Sequence, residues 1–189
     1  MRTAGGRVLD IHSDSDHHRT VFTLVGPRAQ IPDVLSALTR RVLERCDIRN
    51  HVGVHPRTGL VDIVPLVPLG RTTMSECIDA AAEVGRCLAK RFDLPVLLYG
   101  AASRRPATRT PAAIRREGVA GLTRWLAKEG PDFGPRTLHP RGGVALVGAR
   151  TLLVAYNVLL DSSDLRLAQS IAAAVRETGG GLKGVQALG

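Results

Sequence analysis

Apolar residues recur at helical spacing in two long segments. From Ile31 to Cys46, the side chains of Ile31, Val34, Leu35, Leu38, Val42 and Leu43 share one side and leave Arg40, Arg41 and Arg45 for the other. Ser75 to Phe92 repeats the pattern through Ile78, Ala81, Ala82, Val84, Gly85 and Leu88, with Ser75 placed to cap and Leu94-Pro95 closing the helix. A shorter amphipathic helix is predicted over Leu165 to Val175. Short helices are predicted around Ile114 to Glu117 and Leu122 to Ala127, in an Arg- and Ala-rich stretch broken by Pro106 and Pro111. Strands are predicted at Val8 to Ile11 and Thr20 to Val25, in the apolar run Leu60 to Leu69, at Val96 to Tyr99, at Leu152 to Leu160 and at Val185 to Leu188. Pro131 to Arg150, rich in glycine and proline, reads as a shaped loop.

This order predicts an α+β sandwich, a mixed β-sheet with helices packed on one face, as one domain over 1–189. Leu60 to Leu69 and Leu152 to Leu160 carry apolar residues at successive positions, the pattern of strands buried on both faces. A sheet face without helices would then need a cover, and a homodimer or a partner subunit is the expected means.

With 189 residues the chain is long enough for a proper core. No apolar segment approaches the roughly 20 residues that span a bilayer, and MRTAGGRVLD lacks the apolar stretch of a signal peptide, so a cytoplasmic protein without membrane attachment is expected. Cys46, Cys77 and Cys87 have neither an even count nor CxxC spacing, which argues against a disulfide framework or a zinc site. The net charge of +9 is carried almost wholly by arginine. An excess of this size concentrates anionic ligands. With six aromatics and no stacking platform or helix-turn-helix, nucleic acid is not the expected partner; a small polyanion fits better.

Candidate chemistry gathers in RNHVGVHPRTGLVDIVPLVP, residues 49–68. Pro56 fixes its own φ and biases His55 toward extended backbone, and Gly53 and Gly59 permit tight turns, so the imidazoles of His51 and His55 sit in a constrained loop that runs into a strand. Histidine titrates near neutrality, which suits proton transfer, although spacing alone favours two surface histidines in a turn, since no third ligand or orienting group is identifiable nearby. Asp14, Asp16, His17, His18 and Arg19 match no closed zinc pattern and read as turn hydrogen-bonding groups. In the second stretch, Gly134, Pro135, Arg136, Thr137, Leu138, His139, Pro140, Arg141, Gly142 and Gly143 make a loop with backbone N–H groups available to a ligand.

HVGVHPRTGLVDIVPLVPLGRTTMSEC resembles the HKGEHPRxGAxDVxPFxPxxGxxMEEC segment of the formiminotransferase domain. DSDHHRTVFTLVG upstream, and LPVLLYGAASRRP, GPDFGP, HPRGGVALVGAR, LLVAYNV and GLKGVQALG downstream, follow in family order, so the resemblance runs from about Val8 to Gly189. It implies a ferredoxin-like N-terminal subdomain and a folate-dependent transferase of histidine degradation and one-carbon metabolism. Such an enzyme moves a formimidoyl or formyl group between an N-formimidoyl amino acid, such as formiminoglutamate, and tetrahydrofolate, without a metal. Carried over residue by residue, the resemblance makes His55 the general base, Arg57, Arg19 and Asp14 pocket residues, and Gly134 to Gly143 the folate-binding segment. The chain departs from the family at three places: Val52 and Val54 replace a Lys and a Glu, and His18 replaces an Asn. A VPNFSEG-type opening and the second subdomain, whose groove with the first holds the family's active site, are expected to be missing. The alternative reading is therefore a folate-binding subunit that needs a partner chain.

Overall fold

The structure is a computed structural model and describes residues 5–53, 56–155 and 157–189. The internal contacts group into two units, Met1–Leu152 and Leu153–Gly189.

In the first unit, β1 (Arg7–Asp14) and β2 (Arg19–Val25) form an antiparallel ribbon, followed by helix α1 (Ile31–Arg45), strand β3 (Ile63–Leu66), helix α2 (Met74–Phe92) and strand β4 (Val96–Gly100). Helices α3 (Pro111–Arg115) and α4 (Gly118–Glu129) then lead to β5 (Ala145–Ala149). The protein is thus α+β with both antiparallel and parallel pairing. Its main sheet has the order β3-β5-β4, all parallel, and the ribbon forms a separate sheet. The described strands therefore do not draw the ferredoxin-like order.

Alternation along the strands explains how this sheet is covered. Val96 and Leu98 of β4, Ala145, Val147 and Ala149 of β5, and Val64 of β3 face a cluster with Ala81, Val84 and Leu88 of α2 and Leu35 of α1. Leu97, Tyr99 and Leu146 point the other way, into a cluster with Ile114 of α3 and Leu122 and Leu126 of α4. Burial on both faces is what the unbroken apolar runs require. The expectation of helices on one face is corrected by this: the second face packs against α3 and α4 of the same chain. Pro65, which has no N–H to donate, is tolerated because β3 is an edge strand.

Helix starts and stops follow from local chemistry. At α1, Pro32 sits in the first turn, where its missing N–H has no helical partner to lose, and Asp33 favours the positive end of the helix dipole. For α2, Thr73 and not Ser75 is the cap. Its hydroxyl accepts from Glu76 N–H and the Glu76 carboxylate accepts from Thr73 N–H, a reciprocal capping box. Thr73→Ala is expected to cost about 1 kcal/mol, read in a thermal melt as a fall of roughly 2–4 °C. An unchanged melt would show that the box contributes nothing.

In the second unit, α5 (Leu165–Val175) forms as predicted and is capped by Asp164, which accepts from Arg166 N–H. The predicted strands at 152–160 and 185–188 are not strands among the described residues. Leu153, Val154, Val158 and Leu159 are exposed instead, since no neighbouring strand pairs with them. Among the described residues, no helix is long and apolar enough to cross a membrane.

Candidate functional site

The two stretches singled out in the sequence meet at the amino ends of β3 and β5. Gly59 and Gly143 form an antiparallel bridge, flanked by Val144 N–H to Thr58 O and Leu60 N–H to Gly142 O, each at 2.9 Å. This contact requires glycine. Gly143 has φ +68, and a Cβ there would lie 2.3 Å from Thr58 O.

A third segment locks onto the pair. Ile48 donates its N–H to Arg141 O at 3.0 Å, and Arg57 returns a bond from Nη2 to Ile48 O at 3.0 Å. The Nε of Arg57 is buried and meets no acceptor among the described residues. Burial lowers the pKa of this guanidinium from its ordinary value, while nearby Asp62 acts in the opposite direction. Arg57 is thus a half-buried cation with one buried donor that meets no acceptor among the described residues. Asp47, at the head of this segment, is held well below the usual carboxylate range by its side-chain hydrogen bonds from Arg49, with backbone N–H and charge contributions behind them.

Within the Gly134 to Gly143 loop, the polar side chains mostly hold the loop itself. Arg136 Nη1 donates to Ala127 O and Lys128 O, closing the last turn of α4. His139 Nδ1 accepts Gly142 N–H at 2.8 Å and Arg141 N–H at 3.2 Å, which places its proton on Nε2. Arg141 Nη2 donates to Cys46 O. The backbone N–H groups of Arg136, Thr137 and Leu138 donate to no acceptor among the described residues. Just upstream, buried Asp132 accepts Leu98 N–H at 2.7 Å and Arg105 donates to Gly130 O, so the loop leaves the sheet at a fixed angle.

On the other side, the β1–β2 turn packs on the loop after α1. The rings of His18 and His51 stack at 4.9 Å, and Val52 N–H donates to His18 Nδ1 at 3.3 Å. His18 has φ +49. This left-handed conformation is one that asparagine tolerates well, which gives a physical sense to the residue found there in the family pattern. Asp14 accepts from Asp16 N–H, His17 N–H and His17 Nδ1, and the His17 backbone bond leads in lowering its pKa. Its oxygens shape the turn. Arg19 is exposed at the start of β2, opposite Asp14. His55 and Val54 lie outside the described residues.

The structure thus joins Arg57 to the Gly142-Gly143 end of the second loop, and brings the His18 turn against the His51 end of the first. Sequence reading gave no role to Asp62, Arg115 and Arg105, which hold these loops. A lone carboxylate between Val61 and Ile63, interrupting an apolar run, was the available signal for Asp62. No group of three or more His, Cys, Asp or Glu side chains among the described residues is placed to hold a metal.

The two paired loops lie at one end of a parallel sheet that is covered by helices on both faces, within an α+β domain. The profile of the formiminotransferase domain, N-terminal subdomain, matches residues 1–150, and the chain belongs to this family. It is similar to the glutamate formimidoyltransferase of Streptococcus pyogenes serotype M1, 37% identical over 98% of this chain and 62% of that protein. The formimidoyltransferase-cyclodeaminase of Gallus gallus is 40% identical over 100% of this chain and 36% of that protein. The glutamate formimidoyltransferase of Thermoplasma acidophilum is 36% identical over 96% of the chain and 61% of that protein. The chain therefore spans less than two thirds of the length of these relatives.

Proposed function

We propose that the chain carries the formimidoyl-transfer half-site of this family and acts on tetrahydrofolate and an N-formimidoyl amino acid, formiminoglutamate being the first candidate. The observation that supports this reading is the backbone pairing of Thr58–Leu60 with Gly142–Val144, which sets the loop of the proposed base beside the loop of the proposed folate site.

In this reading, the N5 amine of tetrahydrofolate attacks the formimidoyl carbon and forms the new N–C bond. His55 takes the proton released from N5 and delivers it to the amino-acid nitrogen as the old C–N bond breaks. Free amino acid and 5-formimidoyl-tetrahydrofolate leave. Arg57 binds a carboxylate through its unused donor, and Arg19 a second one. The N–H groups of Arg136 to Leu138 take the folate.

Incubation with tetrahydrofolate or its 5-formyl derivative is expected to raise the melting temperature, by a margin that shrinks as salt is added. A folded protein with no shift at millimolar folate would remove the folate assignment.

A second reading is favoured by the exposed apolar residues of the second unit: the chain is a folate-binding subunit, and transfer needs a partner chain. Assay of the isolated chain separates the two, since folate binding without transfer selects the second.

A further inference from the structure

Asp62 ties the candidate loop to the body of the first unit. Its Oδ1 accepts Thr58 N–H at 2.6 Å, the Thr58 hydroxyl at 2.8 Å and Gly59 N–H at 3.3 Å. Its Oδ2 accepts from Nη2 of Arg115, the last residue of α3. Thr58 is 5% exposed, and the Asp62 and Arg115 side chains are 21% and 15% exposed, so water competes weakly for these bonds. Arg115 is itself held in place, because its neighbour Ile114 is buried among Leu97, Tyr99 and Leu146.

Two anchors therefore converge on one carboxylate. One is the chain, which enters β3 directly after Asp62, and the other is the guanidinium from the helix layer beneath the sheet. Without this carboxylate, the turn Pro56-Arg57-Thr58-Gly59 would keep the bridge from Gly59 to Gly143 and the bond from Arg57 Nη2 to Ile48 O, but lose the three bonds by which Thr58 and Gly59 are held to Asp62.

We propose that Asp62 is the positioning residue of the transfer loop, holding the Pro56–Gly59 turn and with it Arg57 in register with the Gly142–Val144 segment, and that Arg115 in turn holds Asp62. The kinetic part of this inference rests on the transfer reading above; the structural part does not.

The test uses the full chain with Asp62→Ala, Asp62→Asn, Arg115→Met and the double variant Asp62→Asn/Arg115→Met. Amide exchange is followed by NMR, and transfer is assayed from formiminoglutamate to tetrahydrofolate. In Asp62→Ala, exchange at Thr58 and Gly59 is expected to quicken about 10- to 100-fold while β4 keeps its protection. Turnover is expected to fall about 10²-fold, mostly in kcat, as for a loop displaced by about an ångström. Asp62→Asn keeps an acceptor for Thr58 but turns an amide N–H toward Arg115. Removing that guanidinium in the double variant is expected to restore activity about tenfold relative to Asp62→Asn alone.

Unchanged exchange at Thr58 and Gly59 would overturn the positioning role. So would a double variant no more active than Asp62→Asn. Should Asp62→Ala lose β4 protection as well, the isosteric Asp62→Asn carries the exchange comparison. Should the wild-type chain transfer nothing, the transfer reading fails and the exchange experiment alone decides.

Discussion

His55→Ala is expected to lower formimidoyl transfer by about 10²–10⁴-fold while leaving the folate-induced rise in melting temperature intact. The size follows from losing the group that moves a proton in the step that makes one C–N bond and breaks the other. His51→Ala is expected to cost much less. His51 lies in the stack with His18 and hydrogen-bonds Gly53 O through Nε2, so its removal loosens a contact between two loops without removing the proton carrier. Steady-state rates for both variants, with circular dichroism to check folding, give the comparison. Equal small losses would show that neither ring is the base.

Gly143→Ala is expected to be the most destabilising single change near the site. The methyl group costs roughly 1–2 kcal/mol for the left-handed backbone alone. It also meets Thr58 O at 2.3 Å, so the bridge must open and the two flanking hydrogen bonds are lost, at about 1 kcal/mol each. A total of roughly 3–4 kcal/mol corresponds to a drop in Tm of roughly 6–16 °C. Gly70→Ala separates the two causes. Its φ is +62, but nothing lies within 4 Å of the added Cβ, so only the backbone cost applies. Equal losses at the two positions would mean that the close approach of the loops contributes nothing.

Helical periodicity made α1, α2 and α5 legible to within a residue or two, because each has a clear apolar side and a local stop signal. The ribbon and β4 were legible too. β5 was not: Val144 to Ala149 follows a run of prolines and glycines, and with both of its faces buried it lacks the alternation that marks a half-exposed strand. Leu152 to Leu160 has the composition of a strand yet pairs with nothing among the described residues, which shows that β-propensity without a neighbour does not make a sheet. Two-sided burial was read correctly in Leu60 to Leu69, where β3 lies, but not in Leu152 to Leu160, whose described residues are exposed, while β4 and β5, the strands buried most fully on both faces, were not singled out for it. The Arg- and Ala-rich segment was read as short helices, as α3 and α4 are, but its apolar side, Ile114, Leu122 and Leu126, is sparse and did not mark it as the cover of a sheet face. At the site, the resemblance picked out both loops, but their pairing joins residues far apart in the chain, which no local pattern encodes. Arg136, His139 and Arg141 were taken as ligand contacts; the structure gives their side chains internal bonds, a use that depends on where α4 and the end of α1 lie.

The strand order β3-β5-β4 also has a consequence in time. β3 and β4 do not pair with each other; each finds its hydrogen bonds only on β5, the last of the three to leave the ribosome. Until about residue 149 has emerged, the inner sides of α2 and α4 have no sheet to rest on, and the chain waits with its longest-range contacts unmade. The same late segment begins with Gly142 to Val144. The event that closes the core is therefore also the one that brings the second loop to the first, and a nascent chain halted before that point has neither.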